Sequence, residues 1–140
     1  MTADVNWIAI LLAAISTMIV GSIWYGPAFG KLWAKLAKVK KDPDFTSKKA
    51  AFLYIRAFLA SLLTSIVLAY VIVVVHKNST DSYLVDAVFV GLILWAGFTA
   101  ARLFMHDIFE GRPSQLTALN AAHELVTIIV MSGIIGLLPV

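Results

Sequence analysis

The residues best suited to chemistry lie between Thr99 and Thr127, in two apolar segments joined at Gly111-Arg112-Pro113. If the chain reverses at Pro113, several polar residues before the turn come opposite polar residues after it, because their distances from the proline match. Helical periodicity also groups these residues on one face of each segment. The predicted polar cluster comprises Thr99, Arg102, His106, Asp107, Glu110, Arg112, Asn120, His123, Glu124 and Thr127.

Glu124 is the member of this cluster that most needs a partner. It lies about nine residues into the last apolar segment, or roughly 13 Å along a helix axis. A charged side chain at such depth costs about 2.5–3.5 kcal/mol on membrane-insertion scales. Arg102 and Glu124 are equally distant from Pro113, so we expect an Arg102–Glu124 ion pair. We interpret the cluster as structural, with this pair fixing the register of the helical hairpin.

Two other chemistries fit the same residues. His106, Asp107, His123 and Glu124 could form an ionisable chain, since histidine titrates near neutral pH, and this suits a homo-oligomeric transporter or a proton- or ion-conducting protein. His106, Glu110, His123 and Glu124 are weaker candidates for a divalent-metal site, because two histidines with one or two carboxylates suit zinc.

Sequence motifs give no support to an enzyme. The chain has no nucleophile-elbow motif and no paired-histidine protease motif, so no catalytic residue is predicted and the cofactor is undetermined. A binding or scaffold protein that acts through its helix faces is a further class consistent with the sequence.

Composition predicts where these residues lie. Hydrophobic residues make up 61% of the chain, charged residues 14%, and the mean hydropathy is +0.91, against about 45–50% apolar residues in soluble domains. The sequence therefore predicts an all-α integral membrane protein, a single domain over residues 1–140 with four transmembrane helices in an antiparallel bundle. The expected spans are about 7–25, 57–75, 83–105 and 116–138, each near the 20 or so residues that a crossing requires.

Small and hydroxylated residues indicate how these helices pack. A stripe of small residues recurs every four positions along the first span: Ala9, Ala13, Thr17 and Gly21. Such a stripe favours close helix approach. In the second span, Ser61, Thr64 and Ser65 are expected to bond carbonyls of their own helix.

The distribution of basic residues predicts the orientation. Of the 11 Lys and Arg residues, only Lys77 lies in the second loop. The positive-inside rule then places loops 26–56 and 106–115 in the cytoplasm and both termini outside, in a multi-pass protein of the cell membrane. The modest net charge of +3 does not indicate a nucleic-acid partner.

The first loop is a candidate surface for anionic lipid, at roughly 1 kcal/mol per basic residue near the headgroups. Its basic residues are Lys31, Lys35, Lys38, Lys40, Lys41, Lys48 and Lys49. Within this loop, Lys31 to Lys38 is predicted to form a short amphipathic helix with Leu32, Trp33 and Leu36 facing lipid.

Several short motifs together resemble a known family. They are Asn6-Trp7, Trp24-Tyr25-Gly26-Pro27, Phe29-Gly30-Lys31, a third span bearing Gly and Trp, Phe109-Glu110-Gly111-Arg112-Pro113, and Asn120 with His123. In this order, over essentially the whole chain, they resemble the membrane proteins grouped as domain of unknown function 1761. The resemblance implies a four-helix membrane fold and no established activity, so it supplies no catalytic residue.

Overall fold

The computed structural model describes residues 4–40 and 42–140, and within these ranges every regular element is a helix. The elements are α1 (Trp7–Ile23), α2 (Gly30–Leu36), α3 (Ser47–His76), α4 (Tyr83–Leu94), α5 (Ala101–Phe109) and α6 (Ser114–Leu137). The predicted all-α fold is confirmed. Of the basic residues predicted to meet lipid, Lys41 lies outside the described residues.

Four helical stretches are long and apolar enough to cross a membrane, and we call them the first to fourth spans. They are Trp7–Ala28, Ser47–His76, Tyr83–Phe109 and Ser114–Leu137, with mean hydropathies from 1.6 to 2.7. The second span begins earlier than the predicted residue 57. Thr46 caps its first turn by accepting a hydrogen bond from the Lys49 amide, so the helix extends through basic residues that the hydropathy pattern assigned to the loop.

Irregular segments interrupt the first and third spans. In the first, the helix kinks at Gly26, whose φ of −105° and ψ of −108° are not helical. Pro27 explains this kink, because the residue before a proline is pushed out of the α region. In the third, Trp95–Ala100 is π-helical and joins α4 to α5. A π segment accommodates an extra residue, so it changes the direction in which the side chains of α5 point.

Contacts between the spans pair residues in opposite sequence order. Between the first and second spans, the Ser65 hydroxyl donates to the Ile10 carbonyl at 2.8 Å, whereas the later residue Thr17 meets the earlier residue Ser61. The third and fourth spans follow the same rule: Gly91 packs against Ser132, whereas Asp107 bonds Thr117. The first and fourth spans close the bundle where the Asn6 side chain donates to the Leu138 carbonyl at 3.3 Å.

The hydrophobic core is concentrated in the half of the bundle near this Asn6 contact. Its buried residues are Ala9, Ile10, Ala13, Leu68, Ala69, Ile72, Ala87, Val90, Met131 and Ile135. The small-residue stripe predicted for the first span contributes directly, because Ala9 and Ala13 are fully buried. At Gly136, a Cβ would lie 2.9 Å from both Leu84 Cα and Ala87 Cβ, so the third and fourth spans touch almost backbone to backbone.

Helix α2 differs from its prediction in extent and in facing. It ends at Leu36, and Lys38 has a φ of +50°, a left-handed conformation that stops the helix. Trp33, expected to face lipid, instead places its ring 5.2 Å from the ring of Tyr25. Helix α2 also contacts α6, so it packs against the bundle on the side of Trp33 and Tyr25.

Candidate functional site

Glu124 lies in the interior part of the fourth span, about 15 Å along α6 from its start. Its side chain retains 45% of its accessible surface, and its Oε1 lies 3.3 Å from Nδ1 of His123. Among the described residues, His123 is the one ion-pair partner found for Glu124. The carboxylate is therefore accessible rather than enclosed by packing, and no arginine or lysine neutralises it there.

A cavity of about 270 Å³, which we call the central cavity, lies between the four spans beside Glu124. All four spans contribute to its lining: Thr17, Ala60, Ser61, Thr64, Thr99, Glu124, Thr127, Ile128 and Met131. Five of these residues carry hydroxyl groups, and the Thr17 and Ser61 oxygens are 2.8 Å apart. The predicted association of Thr99 with Glu124 and Thr127 is thus found at this cavity.

A second cavity, of about 520 Å³, adjoins the first. Both are lined by Thr17, Ser61, Glu124 and Thr127. The larger one continues along the first and second spans past Tyr25 and Tyr54 towards the end of the bundle that carries the basic loop. Glu124 therefore stands where the central cavity meets a wider space that leads towards the bundle end.

His123 is held in a fixed environment next to this carboxylate. Its ring centroid lies 4.7 Å from that of Tyr25 and 5.9 Å from that of Trp24. Its Nε2 lies 3.5 Å from Oγ1 of Thr127. The Tyr25 hydroxyl in turn donates to Oδ1 of Asn120 at 3.0 Å. These contacts place both ring nitrogens of His123 near polar atoms, one of them the carboxylate.

The predicted Arg102–Glu124 ion pair is wrong. The Arg102 side chain is exposed, and the polar contact recorded for it is Met105 Sδ at 4.0 Å. The prediction assumed an unbroken α-helical phase from Thr99 onwards, but the π segment ends at residue 100. Thr99 consequently faces the central cavity while Arg102, three residues later, does not.

The hairpin register also differs from the prediction. Folding symmetrically about Pro113 would set Leu119 opposite Asp107, but Asp107 Oδ2 instead accepts a hydrogen bond from the Thr117 hydroxyl at 2.6 Å. Asp107 is buried and His106 is exposed. The face of α5 that meets α6 is thus displaced by one residue from the face that the sequence pattern indicated.

A separate polar group locks this hairpin. Arg112 Nε lies 2.6 Å from Glu110 Oε2 and 3.8 Å from Asp107 Oδ1, and the Arg112 amide donates to the Asp107 carbonyl at 2.9 Å. Since Asp107 also receives the Thr117 hydroxyl, one buried carboxylate ties the end of the third span to the start of the fourth. The ten residues predicted as one cluster therefore divide into a hairpin lock and the surroundings of Glu124, with Arg102 and His106 in neither.

The arrangement does not favour the metal-site hypothesis. Across residues 4–40 and 42–140, no group of three or more His, Asp or Glu side chains is placed to hold a metal ion. His106, in the last turn of the third span, and Glu110, just after its end, are exposed, whereas His123 packs on Trp24 and Tyr25. The four candidate ligands are thus separated into two places.

Sequence reasoning missed the contribution of the first two spans to the site. Thr17 was assigned to helix packing, and Ser61 and Ser65 were expected to bond their own helix. Only Thr64 does so, through the Ala60 carbonyl at 3.1 Å, while Ser61 meets Thr17 and Ser65 meets Ile10 across the bundle. No local pattern could reveal these pairings, because they depend on how far one helix is displaced along another.

A second missed group closes the loop between the second and third spans. Oδ2 of Asp86 lies 2.6 Å from Nδ1 of His76, and Oδ1 accepts from the Ser79 hydroxyl at 2.8 Å. Tyr83 packs edge-on against His76, with centroids 4.9 Å apart. Because Asp86 is buried and its oxygens are both bonded, this group acts as a cap on the packed end of the bundle.

Comparison with known proteins gives a family but no activity. A family model described as "Protein of unknown function (DUF1761)" matches residues 8–136, nearly the whole chain. No curated protein and no solved structure matches the chain. The function of the cavity around Glu124 therefore has to be argued from its geometry.

Proposed function

The chain belongs to the DUF1761 family, whose description assigns no activity, and we propose that it is a membrane transporter that exchanges protons or other cations at Glu124. The observation that carries this proposal is the position of one accessible carboxylate at the junction of two hydroxyl-lined cavities. Ionisable residues inside membrane spans are costly and commonly mark ion or proton pathways.

The chemistry of the lining suits a positive charge. Carboxylate and hydroxyl oxygens can replace part of the hydration shell of a cation, and Thr17, Ser61 and Thr127 supply such oxygens next to Glu124. Nδ1 of His123 lies 3.3 Å from the carboxylate. A fixed arginine would occupy the carboxylate, whereas here 45% of the Glu124 side chain stays accessible to a cation.

The asymmetry of the bundle supports transport over simple packing. The buried hydrophobic core lies towards the Asn6 end of the bundle, whereas the two cavities lined by Glu124 extend towards the end that carries the basic loop. Alternating access requires a state in which the site is open to one side of the membrane and closed to the other, and this arrangement is consistent with such a state.

The orientation forms part of this proposal. By the positive-inside rule, the basic loop end faces the cytoplasm and both termini lie outside, so the larger cavity would open to the cytoplasm. The lysines of the first loop would then meet anionic headgroups at that surface.

Flux measurement in liposomes tests the proposed function. The purified chain is reconstituted with a pH-sensitive dye inside, and an imposed cation or potential gradient should drive proton movement. Glu124→Gln keeps the shape of the side chain but removes its negative charge, so it should abolish most of this flux.

Glu110→Gln is the matched control for that experiment. Glu110 is exposed and pairs with Arg112 outside both cavities, so this variant should keep the wild-type flux. Equal flux through wild-type protein, Glu124→Gln and protein-free liposomes would overturn the proposal.

A structural role is the second candidate function, for the hairpin lock alone. Asp107 is buried, its carboxylate accepts a hydrogen bond from the Thr117 hydroxyl and lies 3.8 Å from Arg112 Nε, and its backbone carbonyl accepts from the Arg112 amide. Such a group would fix the register of the third and fourth spans, which is the role first expected of the whole cluster.

A further inference from the structure

An apolar groove lies beside the central cavity, between the second and third spans. It has a volume of about 420 Å³ and is lined by Leu63, Thr64, Val67, Leu68, Leu94, Trp95, Phe98, Thr99 and Ile128. Phe98 leaves 75% of its surface uncovered. The groove occurs where the π segment carries Trp95 and Phe98 out of regular α-helical phase.

The groove and the polar cavity adjoin one another. Thr64, Thr99 and Ile128 line both of them, and Glu124 lines the cavity. The volumes of the groove and the cavity, about 420 and 270 Å³, lie in or near the range of roughly 300–1,000 Å³ that small-molecule sites occupy. An apolar surface and a single anionic group are thus presented side by side.

Charge indicates which ligand this combination fits. Within the described residues, the linings of the groove and the central cavity contain no Lys, Arg or His, and their one charged member is Glu124. An anionic amphiphile would therefore be repelled there, and an uncharged one would leave Glu124 with His123 as its one ion-pair partner among the described residues. A cation with an apolar body would satisfy both surfaces.

The aromatic wall of the groove is also held in place. Nε1 of Trp95 donates to the Ala121 carbonyl on the fourth span at 3.0 Å. This bond fixes the indole with its polar atom turned to the fourth span. Less freedom is then lost when a ligand binds, which favours affinity.

We infer that the ligand class of this site is an amphiphilic organic cation, with its charged centre at Glu124 and its apolar body in the groove of Trp95 and Phe98. The inference rests on the proposed cation exchange at Glu124 and specifies its substrate. Such a ligand partitions into the bilayer, and the inference requires it to reach from the groove between the second and third spans into the adjoining cavity that Glu124 lines.

Binding of tetraphenylphosphonium to the full chain in nanodiscs tests this inference, with protein-free nanodiscs giving the lipid background. Saturable binding is expected, and tetraphenylborate, an apolar anion of the same shape, should not compete. Glu124→Gln should weaken tetraphenylphosphonium binding by about tenfold or more, since a charge-assisted contact is lost.

Two phenylalanines on the third span provide a matched pair of variants. Phe98 lines the groove, whereas Phe104 is similarly exposed but does not line it. Phe98→Ala should weaken tetraphenylphosphonium binding severalfold, whereas Phe104→Ala should leave that binding unchanged. A circular-dichroism spectrum like that of wild type shows that each variant is folded.

The two proposals fail in different ways. Flux that depends on Glu124, together with tetraphenylphosphonium uptake no greater than in protein-free nanodiscs, would overturn the ligand class and keep cation exchange. Binding that is unaffected by Glu124→Gln and Phe98→Ala would likewise overturn the inference. Proton flux that is the same for wild-type protein, Glu124→Gln and protein-free liposomes would overturn the proposed function itself.

Discussion

Thr17 on the first span and Ser61 on the second place their hydroxyl oxygens 2.8 Å apart, at the edge shared by both cavities. Thr17 also donates to the carbonyl of Ala14 in its own helix at 2.8 Å. A hydroxyl has one proton, so the Thr17 hydroxyl donates either to the Ala14 carbonyl or to the Ser61 hydroxyl. The contact joins the first two spans at the edge of both cavities.

Replacing Ser65 with Ala should weaken the contact between the first and second spans. Ser65 is fully buried and donates to the Ile10 carbonyl, and hydrogen bonds between membrane helices contribute about 0.6 kcal/mol on average. Unfolding in mixed micelles measures the loss. Ser22→Ala is the control, since Ser22 bonds the Met18 carbonyl of its own helix; an equal loss in both variants would contradict the interhelical role.

Replacing Gly136 with Ala should destabilise the contact between the third and fourth spans by about 1–3 kcal/mol, the usual cost of overpacking. The added Cβ would meet the Leu84 backbone and Ala87 Cβ at 2.9 Å, and neither can rotate away. Gly133→Ala is the control, because a Cβ at Gly133 meets nothing within 4 Å. It should be neutral or slightly stabilising, as alanine favours a helix, and thermal melting in detergent compares the two.

Replacing Asp107 with Ala should destabilise the hairpin far more than replacing Arg102 with Met. Removal of the Asp107 carboxylate leaves the buried Thr117 hydroxyl without its acceptor, at a cost of about 1–3 kcal/mol. Arg102 has only the long contact with Met105, so Arg102→Met should change stability little. A large loss of stability with Arg102→Met in a detergent melting assay would instead support the Arg102–Glu124 ion pair that the sequence suggested.

Replacing Tyr25 with Phe should test whether the corner of the first span holds the site. The variant removes the hydrogen bond to Asn120 but keeps the ring beside His123, so a stability loss of about 1 kcal/mol is expected. Asn120→Leu alone and the double variant complete a double-mutant cycle. Strictly additive losses would show that the two side chains do not interact.

Local sequence patterns predicted the helical spans and part of the site, but not the contacts that depend on tertiary structure. Hydropathy and helix periodicity were sufficient for the four spans and for the association of Thr99, Glu124 and Thr127, because these follow from local pattern. The separation of Arg102 from Glu124 was not predictable. It depended on the π segment at Trp95–Ala100, in which no proline or charge gives a local signal.

The contribution of the first half of the chain could not be read from the sequence either. Thr17 and Tyr25 reach the site because the first span lies against both the second and the fourth, with Ile10 contacting Ser65 and Tyr25 contacting Asn120. These contacts join residues far apart in the chain, and a single sequence does not show which distant residues lie close together in space.

The π segment of the third span has a consequence for comparing relatives of this chain. Since it stores one surplus residue, a homologue that lacks that residue would run as plain α-helix from Tyr83 to Phe109 and rotate everything after residue 100 by about 100°. Alignments of the family should therefore admit a single-residue gap between Trp95 and Ala100. Positions aligned beyond it without that gap would compare a lipid-facing side chain with a cavity-facing one.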